Sequence, residues 1–129
     1  MRLTAVVLCL GLGACANGGM ATGTPKLPVL TRMTLTSAQT SAIQSATRAG
    51  LKDPDSAKFG DIIAGTDPAN PSENLACGYV NSKNSYGGYT GAQVFMAKFN
   101  QDGTARFVGM DIGGICEMQG LSMAGLRAS

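Results

Sequence analysis

The rhythm of apolar residues divides the chain into an unbroken apolar run, an aperiodic stretch, one amphipathic segment and a series of alternating ones. Leu3 to Leu12 is almost wholly apolar. Ala16 to about Met33 has no regular period and is rich in Gly, Thr and Pro, the composition of a flexible tether. At Thr36 a helical rhythm begins. The Thr36 hydroxyl can cap the first turn, Gln39 completes a capping box, and Leu35, Ala38, Ala42, Ala46 and Ala49 fall on one stripe with Ile43 beside it. Gly50 is a suitable stop, so a helix is predicted over about residues 37–49. Its apolar stripe is mostly alanine and must approach another surface closely to bury much area.

Alternating segments follow at about Lys58–Ala64, Leu75–Asn81, Ala92–Asn100 and Thr104–Ile112, separated by stretches rich in Gly, Pro and Asn. Asn100-Gln101-Asp102-Gly103 is a hairpin signal, because Gly103 takes positive φ at little cost. In the segment before it, Phe95 and Phe99 face one way and Val94 and Met96 the other. Lys98 shares the second side, which is therefore expected to be partly wet. The order predicts an α+β fold: one N-terminal helix packed on a small antiparallel sheet of about four strands.

Charge and composition narrow the chemistry. Ten Lys+Arg against eight Asp+Glu give a net charge of +2, which is not the basic surface of a nucleic-acid binder. The absence of His excludes Ser-His-Asp and Cys-His catalysis and any metal site built on imidazole. Asp53, Asp55 and Asp61 invite a calcium reading, but their spacing lacks the alternating oxygen ligands of a calcium loop. Turn chemistry around Pro54 is the favoured role. Asp111 and Glu117 bracket Gly113-Gly114 as a conceivable acid/base pair, with nothing in the sequence bringing them to a shared substrate. No catalytic residue, metal or cofactor is expected.

The apolar run is about ten residues, half of the roughly twenty that cross a bilayer core, and it follows Arg2 and precedes small residues. Residues 1–14 therefore read as a signal peptide. Leu12-Gly13-Ala14-Cys15 resembles the lipobox of bacterial lipoproteins, which implies that Cys15 is acylated and becomes the first residue of a lipid-anchored protein. Ala16, which is not Asp, resembles the sorting residue of lipoproteins sent to the outer membrane. The competing reading is ordinary secretion after Ala14-Cys15-Ala16, with a soluble product beginning at Asn17. The organisation expected is a signal peptide (1–14), a lipidated Cys and tether (15–35) and a single small domain (36–129).

Cys9 leaves with the signal peptide and Cys15 takes the lipid, so Cys77 and Cys116 remain to pair in an oxidising compartment. A reactive thiol pair is the lesser alternative, lacking CxxC spacing and any His.

The segment from Cys77 to Gly91 holds all three tyrosines and four of the eighteen glycines. Tyr86 and Tyr89 in a Gly-rich loop, with Asn81, Lys83 and Asn84 for hydrogen bonding, have the chemistry of an adaptable binding surface. Packing of the tyrosines over a sheet edge is the structural alternative. Asp53-Pro54-Asp55-Ser56-Ala57-Lys58-Phe59 together with Cys77 to Gly91 resembles a group of small exported bacterial proteins with DPxSAxF and CGxVNxKNxYGGYxG signatures. That resemblance carries over a domain and no catalytic residue. The expectation is a non-enzymatic lipoprotein of the bacterial envelope, outer-membrane and facing the periplasm, a binding or structural module with an envelope-protein or cell-wall partner. A periplasmic inhibitor of a hydrolase, such as a cell-wall lytic enzyme, is the alternative.

Overall fold

The computed structural model describes residue 23 and residues 26–129. The signal peptide, Cys15 and the first part of the tether lie outside the described residues. Five strands form one antiparallel sheet in sequence order: β1 (Thr31–Met33), β2 (Lys58–Asp67), β3 (Asn70–Asn81), β4 (Gln93–Asn100) and β5 (Ala105–Met110). Helix α1 (Ser37–Ala49) falls between β1 and β2, and a one-turn helix α2 (Ile115–Met118) follows β5. The α+β class and the antiparallel sheet agree with the sequence pattern, with two corrections. The sheet has five strands instead of four, and the helix is not the first element. No helix among the described residues is long and apolar enough to cross a membrane.

The fifth strand comes from the end of the stretch read as tether. Thr31, Arg32 and Met33 pair with Thr66, Gly65 and Ala64. Leu30, just before them, is buried, and its N–H donates to the Gln119 carbonyl at 2.9 Å. Leu30 and Met33, an odd number of positions apart, contribute to the cores on opposite faces of the sheet. Residues 30–33 thus belong to the folded unit, which begins before position 36.

Helix α1 has the expected bounds because its ends are specified locally. Thr36 Oγ1 accepts from the Gln39 N–H at 3.1 Å, and Gln39 Oε1 accepts from the Thr36 N–H at 2.9 Å. Its buried face differs from the alanine stripe: Ile43 and Thr47 are fully buried, whereas Ala38 and Ala49 are exposed. Thr47 is accommodated there because its hydroxyl donates to the Ile43 carbonyl at 2.8 Å, leaving its methyl to pack. Gly50 ends the helix in a right-handed conformation (φ −92°). Its lack of a side chain serves packing, since a Cβ there would overlap the Phe107 ring.

The sheet is covered on both faces. On one, α1 packs Ile43 over Ala64, Ala76, Val80, Phe95, Ala97 and Phe99. Phe59 meets Phe95 edge-on at 5.7 Å. On the other, the segment after β5 lays Cys116, Leu121 and Met123 over Leu75, Cys77 and Met96. The alternation expected in β4 holds, with Phe95 and Phe99 on the helix face and Val94 and Met96 on the other. Lys98 keeps its side chain 36% exposed and pairs with Glu73 at 2.9 Å, so the second face is wet at that end.

The Cys77–Cys116 disulfide joins residues 39 apart and is fully buried, tying the C-terminal segment to the centre of the sheet. The turn between β4 and β5 is the expected Asn100–Gly103 hairpin, with Gly103 at φ 89°. A bulge interrupts β2, where Phe59 opposes Val80 but Ile62 opposes Gly78. There the Asp61 N–H donates to the Arg127 carbonyl at 2.9 Å, and Asp61 Oδ2 accepts from the Arg127 N–H at 2.9 Å. The end of the chain closes the bulge.

Candidate functional site

Strand register gives the molecule two poles. Lys58 opposes Asn81 at one end of β2 and β3, and Asp67 opposes Asn70 at the other. The chain enters β1 at Thr31, opposite Thr66, and so at the Asp67–Asn70 end. The segment between β3 and β4 projects from the Lys58–Asn81 end. The 10 residues of β2 span the two poles, roughly 30 Å at the usual rise of a strand.

The loop after Asn81 is organised by one side chain. Asn84 Oδ1 accepts from the Tyr86 N–H at 2.9 Å and from the Gly88 N–H at 3.1 Å. The Asn84 backbone adds a second ring of bonds, its N–H donating to the Gly88 carbonyl at 2.8 Å and its carbonyl accepting from the Gly87 N–H at 3.1 Å. Gly87 stands at φ 82°, where an L side chain would be strained. Lys83 and Tyr89 face each other across an isolated bridge, and Thr90 is tied by its N–H and hydroxyl to the Ser82 carbonyl at 3.2 and 3.3 Å. The loop is therefore a small ordered hairpin.

A second motif fastens it to the sheet. Asp53 caps the 3₁₀ turn Pro54–Ser56 by accepting from the Ser56 N–H at 3.3 Å. The Ser56 hydroxyl donates to the Asp53 carbonyl at 2.8 Å and accepts from the Lys83 N–H at 2.8 Å. The Tyr89 hydroxyl donates to the Ser56 carbonyl at 3.3 Å. The Asp53–Phe59 and Cys77–Gly91 stretches, far apart in sequence, are thus one structural unit with Ser56 as its bolt.

The candidate residues divide by what they do. Tyr89 is 43% exposed and serves as a platform, with Lys58 Nζ 4.6 Å and Lys83 Nζ 5.6 Å from its ring centroid. Asn84 builds the turn. Asn81, at the foot of the loop, has an Oδ1 that is buried without a hydrogen-bond partner. Tyr86 alone is free of a packing role: it is 97% exposed at the tip of the ordered turn. Ile112, 98% exposed just after β5, projects at the same pole, since Met110 opposes Phe95 and the Asp111 N–H donates to the Val94 carbonyl at 2.8 Å. Tyr79 packs against the disulfide-side core. The Cys77–Gly91 stretch thus contains both a packing tyrosine, Tyr79, and a presented one, Tyr86.

Lys58 was not legible as a site residue, because only the β2–β3 register brings it beside the loop. Its signal in the sequence was no more than a charge at a strand start. Ser56 was legible as a turn former but not as the bolt to Lys83.

The carboxylates considered for chemistry are engaged by backbone N–H groups. Asp111 Oδ1 and Oδ2 accept from the N–H groups of Ile115 and Cys116 at 2.7 and 2.9 Å, capping α2. Glu117 Oε1 accepts from the Met123 N–H at 2.6 Å. Each orients a different stretch of the C-terminal segment. Among the described residues no group of three or more His, Cys, Asp or Glu side chains is placed to hold a metal ion.

Two acids are held below their ordinary values, Asp102 by the hydrogen bond from the Thr104 hydroxyl and Glu73 by basic partners. The hydrogen bond from Lys98, seconded by one from Arg106 at 3.0 Å, holds the Glu73 carboxyl below the ordinary value of 4.5. It lies in β3 close to the chain-entry pole, away from the loop.

No protein-family model, no curated protein and no solved structure matches the chain.

Proposed function

We infer that the chain is a non-enzymatic lipoprotein of the bacterial envelope, held to a membrane by acylated Cys15, whose domain binds another envelope component through the loop spanning residues 82–92. One observation carries the binding reading: Tyr86, a large aromatic side chain, is 97% exposed on a turn that Asn84 holds with two side-chain hydrogen bonds. A side chain with so little contact contributes almost nothing to the fold, while the ordered turn beneath it lowers the entropy lost on binding. The anchoring reading is supported by the apolar run and the Leu12-Gly13-Ala14-Cys15 sequence. The chain enters β1 at the pole opposite the loop.

Intact-mass measurement of membrane-extracted protein tests the anchor: residues 1–14 should be missing and acyl mass present. A soluble product beginning at Asn17 would defeat it. Crosslinking pull-downs comparing wild type with Tyr86→Ala test the loop, since this exposed position can be truncated without disturbing the Ser56 bolt. Loss of a partner in a variant with unchanged melting supports the reading, and unchanged partners refute it. Recovery of a hydrolase whose activity the wild type suppresses would select the inhibitor reading, which the rigid projecting turn also fits.

A further inference from the structure

We propose that the loop pole recognises a carboxylated glycan, with the Tyr89 ring and its two flanking ammonium groups, Lys58 and Lys83, as the anion-binding centre and Tyr86 as an adjacent stacking surface. The inference rests on the binding reading of the loop and names its ligand class.

Charge comes first. Among the described residues the ion pairs are Lys98–Glu73, Arg106–Glu73 and Arg127–Asp61, and neither Lys58 nor Lys83 takes part in one. Both nonetheless lie within 5.6 Å of the same ring centroid. Two like charges gathered at one ring repel each other, a cost that a bound anion relieves. The acids nearest in sequence do not supply that anion. Asp53 accepts from the Ser56 N–H, and Asp55 makes no ion pair with either lysine.

Shape favours a sugar over a protein surface. Lysine is depleted from the cores of protein interfaces, which are built on contiguous apolar area. Here Gly87 and Gly88 stand between the two tyrosines in the chain, and ammonium groups lie within 5.6 Å of the Tyr89 ring centroid. An exposed tyrosine ring offers a flat face for the C–H surface of a pyranose, and the ammonium groups offer charge-assisted hydrogen bonds to a carboxylate on that sugar or on a short side chain attached to it. The centre is also held in register before binding, through the Lys83 N–H to Ser56 Oγ and the Tyr89 hydroxyl to the Ser56 carbonyl.

The test uses full-length protein in neutral detergent and insoluble peptidoglycan sacculi, before and after carbodiimide amidation of their carboxylates. Cosedimentation with native sacculi is expected, weakened about tenfold by amidation and about tenfold by Lys58→Gln combined with Lys83→Gln. Binding should return with Lys58→Arg and Lys83→Arg and fall with added salt. Amidation leaves the protein untouched, so it decides the matter even if the double variant folds poorly. Absence of binding to native sacculi, or equal binding to amidated ones, overturns the inference. So does competition by poly-glutamate as effective as that by soluble muropeptides, which would show an anion site with no preference for sugar. Should Tyr86→Ala still abolish capture of a protein partner while sacculi fail to bind, the glycan is refuted and the binding loop stands.

Discussion

Breaking the Cys77–Cys116 link should open one face of the sheet before the other. The bond closes a loop of 39 residues, for which the chain-entropy relation gives about 4 kcal/mol of stabilisation. Small domains have only about 5–15 kcal/mol in all, so reduction should lower the melting temperature by about 15–30 °C for a chain of this size. The loss has a definite location. The segment that Cys116 anchors contains one helix of 4 residues, too short to persist unaided, and it covers its face through Ile115, Leu121, Met123 and Leu126. Urea unfolding of the oxidised and reduced protein measures the magnitude, and the slope should steepen on reduction because the freed chain expands. Hydrogen exchange supplies the location: the N–H groups of Leu121 and Leu30, bonded to the carbonyls of Cys116 and Gln119, should lose protection ahead of the β2–β3–β4 ladder. Reduction leaves both thiols in place, so it isolates the link from the packing change that Cys77→Ala with Cys116→Ala adds. A loss below about 1 kcal/mol, or uniform opening of the whole sheet, would refute the view that the bond secures an otherwise weak cover.

Gly50→Ala is allowed by its backbone angles but drives a methyl group into Phe107, and should cost about 1–3 kcal/mol in thermal or chemical melts. Adding Phe107→Leu should recover part of that loss, and strict additivity would argue against the contact. Asn84→Ala removes the acceptor of the Tyr86 and Gly88 amides, so backbone relaxation should show residues 84–88 becoming mobile while global stability changes by about 1 kcal/mol or less. Unchanged loop order would show that the backbone bonds suffice. The Glu73 carboxyl should titrate below 4.5 by NMR, and Lys98→Met, which removes its principal partner, should move the midpoint upward. Because its folded value is depressed, the contribution of Glu73 to stability is present above the unfolded value and lost as pH falls through the folded one. A midpoint at or above the ordinary value would contradict the Lys98–Glu73–Arg106 geometry.

The sequence alone determined what depends on near neighbours. Helix α1 was legible to the residue because Thr36 and Gln39 close its first turn within four positions, and the β4–β5 hairpin because Gly103 accepts a backbone that other residues resist. The alternation of Phe95 and Phe99 against Val94 and Met96 assigned faces correctly, since strand period alone decides it. The cysteine pairing followed from setting aside Cys9 and Cys15 on the expectation of export, and the Cys77–Cys116 bond agrees with it. Long-range partners decided the rest. Thr31–Met33 is three residues long and becomes a strand only against the edge of β2, so no local rhythm marks it. The helix turned Ile43 and Thr47 inward, not its alanine stripe, because the facing sheet accepted a branched side chain and a hydroxyl already bonded within the helix. The site divided in the same way. Composition marked the tyrosine loop, but the bolt from Ser56 to Lys83 spans 27 positions, and Lys58 reaches Tyr89 only through the β2–β3 register. Local capping and alternation are written in adjacent residues, whereas register, burial direction and cross-chain bonds depend on surfaces that exist only once the sheet has formed.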